Sequence, residues 1–78
     1  MKTQSIDYIV SKANSYLETN PELRKGQSLY IATYNYLKDY GTAKERENFD
    51  TLIPHTSKDC FFFDYRINAF IRTLENCI

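Results

Sequence analysis

The chain is predicted to fold as an all-α bundle of three main helices plus one short helix, with a long loop before the last helix. Three observations carry this reading. Apolar residues recur at helical spacing in three stretches, Asn20-Pro21 and Gly41 punctuate them, and Thr42-Ala43-Lys44-Glu45 has the spacing of a capping box at a helix start.

The first helix is expected from about Thr3 to Glu18. Ile6, Ile9, Val10, Ala13 and Leu17 form its amphipathic stripe, and Asn20-Pro21 ends it because a residue before proline avoids the helical region. A turn is expected over Pro21 to Lys25, then a second helix from Gly26 to Tyr40. Leu29, Tyr30, Ile31, Ala32, Tyr34, Tyr36, Leu37 and Tyr40 make that helix apolar nearly all round, which predicts a central helix covered on more than one side. Gly41 fits the C′ position, the first residue past the cap of that helix. The capping box then opens a short third helix, about Ala43 to Asn48. Phe49 to Phe63 shows no helical period and reads as a loop through Pro54 and His55-Thr56-Ser57-Lys58. Asp64 is expected to cap the last helix, whose Ile67, Phe70, Ile71 and Leu74 again have core spacing and which ends near Asn76.

With 78 residues there is room for one domain, spanning 1–78, and for one core. Seven tyrosines and five phenylalanines supply much of the apolar content, and each can bury on the order of 150–250 Å². The formal net charge is zero, with acids and bases interspersed, so the chain has no electrostatic footprint for nucleic acid or an anionic membrane. The N-terminus lacks the apolar run of a secretory signal, and no segment approaches the ~20 apolar residues of a membrane span. A cytoplasmic protein is therefore expected, with Cys60 and Cys77 as reduced, structural thiols. One histidine and no Cys-x-x-Cys pair leave no metal-ligand pattern, and no cofactor is expected.

Candidate chemistry is sparse. His55 is the only side chain that titrates near neutrality, and it has no visible partner; Ser57 and Cys60 sit in no nucleophile motif. The tyrosines of the second helix invite comparison with a base-stacking platform, but that helix contributes only Lys38 as a cation, so they are expected to pack in the core. Phe61-Phe62-Phe63 differs, because three consecutive large side chains cannot all point inward. With the preceding loop it forms the expected partner-binding surface, carried by His55, Lys58, Phe61 and Phe62. Arg24, Gly26 and Gln27 read as architectural: Gly26 for a tight entry into the second helix, Gln27 to satisfy amides or a loop carbonyl, and Arg24 to fork onto Asp59 or Asp64.

The run Asn20-Pro21-Glu22-Leu23-Arg24-Lys25-Gly26-Gln27-Ser28-Leu29 resembles the N-P-E-x-R-x-G-Q-A-L segment of a group of short proteins of phages, prophages and bacteria. In that group a D-P-F-Y-D-D-x-R-I-x-x-F segment follows a loop. Asp59-Cys60-Phe61-Phe62-Phe63-Asp64-Tyr65-Arg66-Ile67-Asn68-Ala69-Phe70 is similar to it, with Asp59, Phe61, Asp64, Arg66, Ile67 and Phe70 kept and with Cys60 and Phe63 in place of a proline and an aspartate. The resemblance covers about residues 6–71. It implies a small helical protein encoded by a mobile element and carries no catalytic activity with it. The expected function is a non-enzymatic module that binds a host or phage protein, modulating or inhibiting a host complex such as a defence nuclease. A homodimer is the other assembly left open. The alternative reading is a nucleic-acid-associated regulator or accessory factor, with nucleic acid not expected as a direct ligand. An enzyme would require a pocket that sets His55 beside a second polar group.

Overall fold

The first two helices, α1 (Lys2–Thr19) and α2 (Lys25–Tyr40), lie side by side and antiparallel in a computed structural model that describes residues 2–78. Ser5 and Tyr8 near the start of α1 meet Tyr36 and Tyr40 near the end of α2, and Leu17 lies near Lys25 and Ser28. They are followed by α3 (Ala43–Leu52), a 3₁₀ turn (Asp64–Arg66) and α4 (Ile67–Cys77), giving an all-α domain with no strand among the described residues.

The stripe on α1 reads through to the core: Ile9 and Ala13 are buried, and Ile6 and Val10 pack against them. From α2 come Leu29, Ala32 and Leu37; from α3 and the loop Phe49, Ile53 and Cys60; from α4 Phe70, Leu74 and Cys77. Tyr30 is the aromatic hub, with ring centroids 5.6 Å from Phe49, 5.4 Å from Phe61 and 6.2 Å from Phe70. Edge-on and tilted contacts of this kind add about 0.5–1.5 kcal/mol per pair beyond area burial. Two polar side chains in the core, Ser28 and Thr33, return their hydroxyls to the carbonyls of Lys25 and Leu29, each at 2.8 Å.

Four expectations are corrected. First, α3 runs on to Leu52. Phe49 and Ile53 stand four residues apart on one face and both are buried, so a single turn of core contact lengthens a helix whose remaining residues are polar. The loop is correspondingly shorter, 53–63. Second, α2 is not apolar all round: Tyr34 is 56% exposed and Tyr40 67%, and only Tyr30 and Tyr36 are half-buried. Third, Gly41 is the C-cap of α2 and not the C′ residue, with extended backbone (φ −76°, ψ 155°). It is glycine because a Cβ there would stand 2.7 Å from the Leu37 carbonyl oxygen and 2.9 Å from the Leu37 side chain. The freed carbonyls at the end of α2 are taken by Arg46, whose guanidinium donates to Leu37 and Gly41 at 3.1 and 2.7 Å. Fourth, Asp64 does not cap its own helix. The 3₁₀ turn starts without a side-chain cap, and the Asp64 carboxylate is committed elsewhere.

The capping box is as expected. Thr42 accepts from the Glu45 amide at 3.1 Å, and Glu45 accepts from the Thr42 amide at 2.8 Å.

Candidate functional site

The two motif segments meet in space. α2 begins at Lys25 with Arg24 as its N-cap, and Arg24 offers no side-chain acceptor to the open amides of the first turn. The acceptor comes from 38 residues away: Asp64 Oδ1 takes the Gly26 N–H at 2.9 Å. A carboxylate at a helix N-terminus also complements the helix dipole. Gly26 permits this closeness, because a Cβ on it would overlap the Cys60 carbonyl oxygen. The Cys60 thiol in turn donates to the Gly26 carbonyl at 3.3 Å.

The expected ion pair from Arg24 to Asp59 or Asp64 does not form. Arg24 Nη2 donates to the Phe61 carbonyl at 3.2 Å, so the loop is tied to α2 through its backbone. Asp59 serves the loop itself: Oδ2 accepts from the His55 N–H and Oδ1 from the Phe61 N–H, both at 3.0 Å. This holds His55 at φ 64°, the left-handed region that a non-glycine residue occupies at a cost. Arg66 completes the set by donating to the Thr56 carbonyl at 3.3 Å. Gln27 is half-buried and makes no side-chain hydrogen bond among the described residues, so its assigned bonding role is not seen.

This stitching makes the loop a chain of turns. Backbone bonds link Thr56 to Ile53, Asp59 to Thr56, Phe63 to Cys60 and Arg66 to Phe63. The result is a segment bonded along its length and to α2, and what it presents is aromatic. Phe61 points to the Tyr30 hub, whereas Phe62 is 67% exposed, Phe63 44% and Tyr65 78%. Phe62 stacks edge-on against Phe61 at 4.8 Å, and Phe63 meets Tyr65 at 5.7 Å. The Arg24 guanidinium lies over Phe62 at 5.8 Å, and that of Arg66 over Phe63 at 4.4 Å and Tyr65 at 5.5 Å. An open groove of about 480 Å³ is lined by the three phenylalanines and Arg66 together with Tyr30, His55, Thr56 and Asp59.

Of the residues expected to bind a partner, His55, Phe61 and Phe62 line this groove; Lys58 is exposed on the same loop but is not part of the lining. His55 does share the groove with polar neighbours, the arrangement an enzyme would need. Those neighbours are occupied, however. Both Asp59 oxygens hold backbone amides, and the Thr56 hydroxyl donates to the Leu52 and Ile53 carbonyls at 3.0 and 2.8 Å. No group of three His, Cys, Asp or Glu side chains able to hold a metal occurs among the described residues.

The groove also includes Tyr30, which the sequence reading left out of the site, and Phe63, which it named only as part of the phenylalanine run, with Tyr65 beside them. The signal for Phe63 was present in Arg66, three residues on, which is the spacing at which a guanidinium can lie back over a ring. A second aromatic face lies on the α1–α2 hairpin. Tyr8, Tyr36 and Tyr40 stand 5.7–6.1 Å apart, Lys12 lies 5.7 Å over Tyr8, and the Tyr36 hydroxyl donates to Ser5 at 2.8 Å.

Burial pushes the thiols up, Cys60 to about 12 with the Asp59 charge adding to it, and Cys77 in the same direction. Burial likewise raises the Tyr30 hydroxyl, with the charges of Asp59 and Asp50 contributing. Neither cysteine is poised as a nucleophile. Among the described residues no helix is long and apolar enough to cross a membrane. Comparison with protein-family models, with curated proteins and with solved structures found no significant match.

Proposed function

We propose that this chain is a non-enzymatic protein-binding module that docks through the aromatic groove of the 53–66 segment. The observation that carries the reading is the exposure of Phe62, Phe63 and Tyr65 on a segment fixed by hydrogen bonds to α2. Aromatic residues and arginine are the types enriched at interface cores and hot spots. A surface already ordered before binding avoids much of the entropic cost of association. The phage and prophage resemblance supports a host protein as the partner, and a complex of a host defence system, such as a nuclease, as the thing inhibited, with the module acting by occupancy.

Polynucleotide binding is the weaker reading. Net charge is zero, and Arg46 and Arg66 are bonded to carbonyls at different ends of the molecule while Lys12 lies on a third face. With no net excess of cations, the gain from releasing phosphate counterions is small.

The test uses Phe62→Ala and the double variant His55→Ala/Lys58→Ala. Circular dichroism checks folding, capture from a host lysate reads partner binding, and light scattering reads any homodimer. Folded variants that lose the species captured by wild type support the proposal. Unchanged capture and mass in both removes the groove from the functional surface.

A further inference from the structure

We infer that the groove takes an acidic segment of its protein partner, a short stretch in which an aspartate or glutamate neighbours an apolar or aromatic side chain. The inference rests on the protein-binding reading above and concerns the chemistry of what is bound.

Its basis is an imbalance in how the local charges are used. The carboxylates of this segment bond to the chain's own backbone: Asp59, which lines the groove, holds the amides of His55 and Phe61, and Asp64 beyond it holds that of Gly26. The guanidiniums are less fully used. Each has five N–H donors, and each places one group on a carbonyl of the chain, Arg24 on Phe61 and Arg66 on Thr56. No carboxylate bonds either of them among the described residues. Arg66, which lines the groove, therefore has N–H donors that no carboxylate takes, with Arg24 beside it over Phe62 and the exposed Lys58 on the same loop.

Stacking defines how those cations are offered. A guanidinium lying over a ring presents its N–H edges sideways, where a planar carboxylate can accept two parallel hydrogen bonds. Arg66 lies 4.4 Å over Phe63, so its fork has an aromatic ring beneath it, and Arg24 stands 5.8 Å from the centre of Phe62. A bound carboxylate there brings the adjacent residue of the ligand onto Phe62, Phe63 or Tyr65. Phosphate fits the same fork, but a polyanion would also approach Asp59 in the groove lining and Asp64 in the same segment, and their charges repel each further phosphate. A single carboxylate flanked by apolar surface suits the site better.

The experiment is a selection of displayed random peptides on wild-type protein with counter-selection on Phe62→Ala. The expected outcome is enrichment of peptides that pair Asp or Glu with a neighbouring apolar or aromatic residue. Synthetic copies should bind in fluorescence anisotropy, weaken with added salt, and lose about tenfold in affinity or more when their carboxylates are replaced by amides. Lys58→Gln, which removes no hydrogen bond within the chain, should weaken the acidic peptide and leave its amide copy unchanged. Arg66→Gln should shrink the difference between the two copies further than Lys58→Gln does. Enriched peptides without acids, or equal binding of acidic and amide copies, overturns the inference while the protein-binding reading stands. No enrichment over Phe62→Ala overturns both. Tighter binding of a single-stranded oligothymidylate than of every selected peptide overturns both in favour of a nucleic-acid ligand.

Discussion

Cys60 is buried completely, its thiol bonded to the Gly26 carbonyl and its own carbonyl pressed against Gly26. Burial, then the charge of Asp59, raises its pKa to about 12 from an ordinary 9.0. The consequence for stability follows from linkage: between those values the unfolded chain loses the thiol proton and the folded chain keeps it, so the unfolded state gains as pH rises. Stability is therefore fully present below about pH 9 and falls as pH rises toward 12, and the raised Cys77 and Tyr30 act in the same direction. Urea midpoints measured at about pH 7.5 and about pH 10 should fall, and the fall should be smaller in Cys60→Ala whatever that variant's stability at neutral pH. A midpoint flat to about pH 10 in wild type would contradict the burial. Thiol titration gives the companion result, with slow reaction in the native protein and two thiols per chain in denaturant.

Among the elements, α1, α2 and α4 were legible because apolar spacing is a repeating signal and their buried faces supply several repeats. α3 was cut short because its buried contribution is a single residue, Phe49, with Ile53 just beyond its end, and two apolar positions make no period. Tyr34 and Tyr40 were misplaced because tyrosine is at home both inside and at the surface, so residue type alone does not orient it. The role of Asp64 was hidden for a different reason: a cap on its own helix is a local pattern, whereas an acceptor for Gly26 is 38 residues distant. At the site, the phenylalanine run and His55 were found as a departure from helical pattern, and the part of the lining supplied by Tyr30 could only come from tertiary packing. These corrections change the expected mutational profile. Leu37→Ala and Phe49→Ala should each cost about 2–5 kcal/mol, as large-to-small changes in a close-packed core do. Tyr34→Ala should cost under about 1 kcal/mol, since more than half of that side chain is already in water. Chemical denaturation of the three variants checks the order, and a Tyr34→Ala as damaging as Leu37→Ala would show that α2 is covered on that face as well.

At the scale of the molecule, the start of α2, the 53–63 loop and the turn into α4 behave as one unit, because each is bonded to another: Gly26 to Asp64 and Cys60, Arg24 to Phe61, Arg66 to Thr56. The aromatic surface is carried on that unit, so its ordering is a property of the junction and not of the loop alone. Gly26→Ala is the sharpest probe of it, because two effects compete with opposite sign. Alanine in place of glycine in a helix gains roughly 0.5–1 kcal/mol from backbone entropy. Against this, the added methyl overlaps the Cys60 carbonyl, which is backbone and cannot swing aside, and forced backbone shifts of this kind cost typically about 1–3 kcal/mol. The overlap is expected to win, giving net destabilisation. Hydrogen exchange should show where it is felt, with faster exchange at Gly26's own position and at the amides of His55, Phe61 and Phe63, while those in the middle of α1 hold or quicken less. A stabilised variant, or one whose loop amides exchange no faster than wild type, would mean that the loop does not rest on α2. Phe62 and Phe63 would then be presented by a segment that must order on binding, at the affinity cost that such ordering carries.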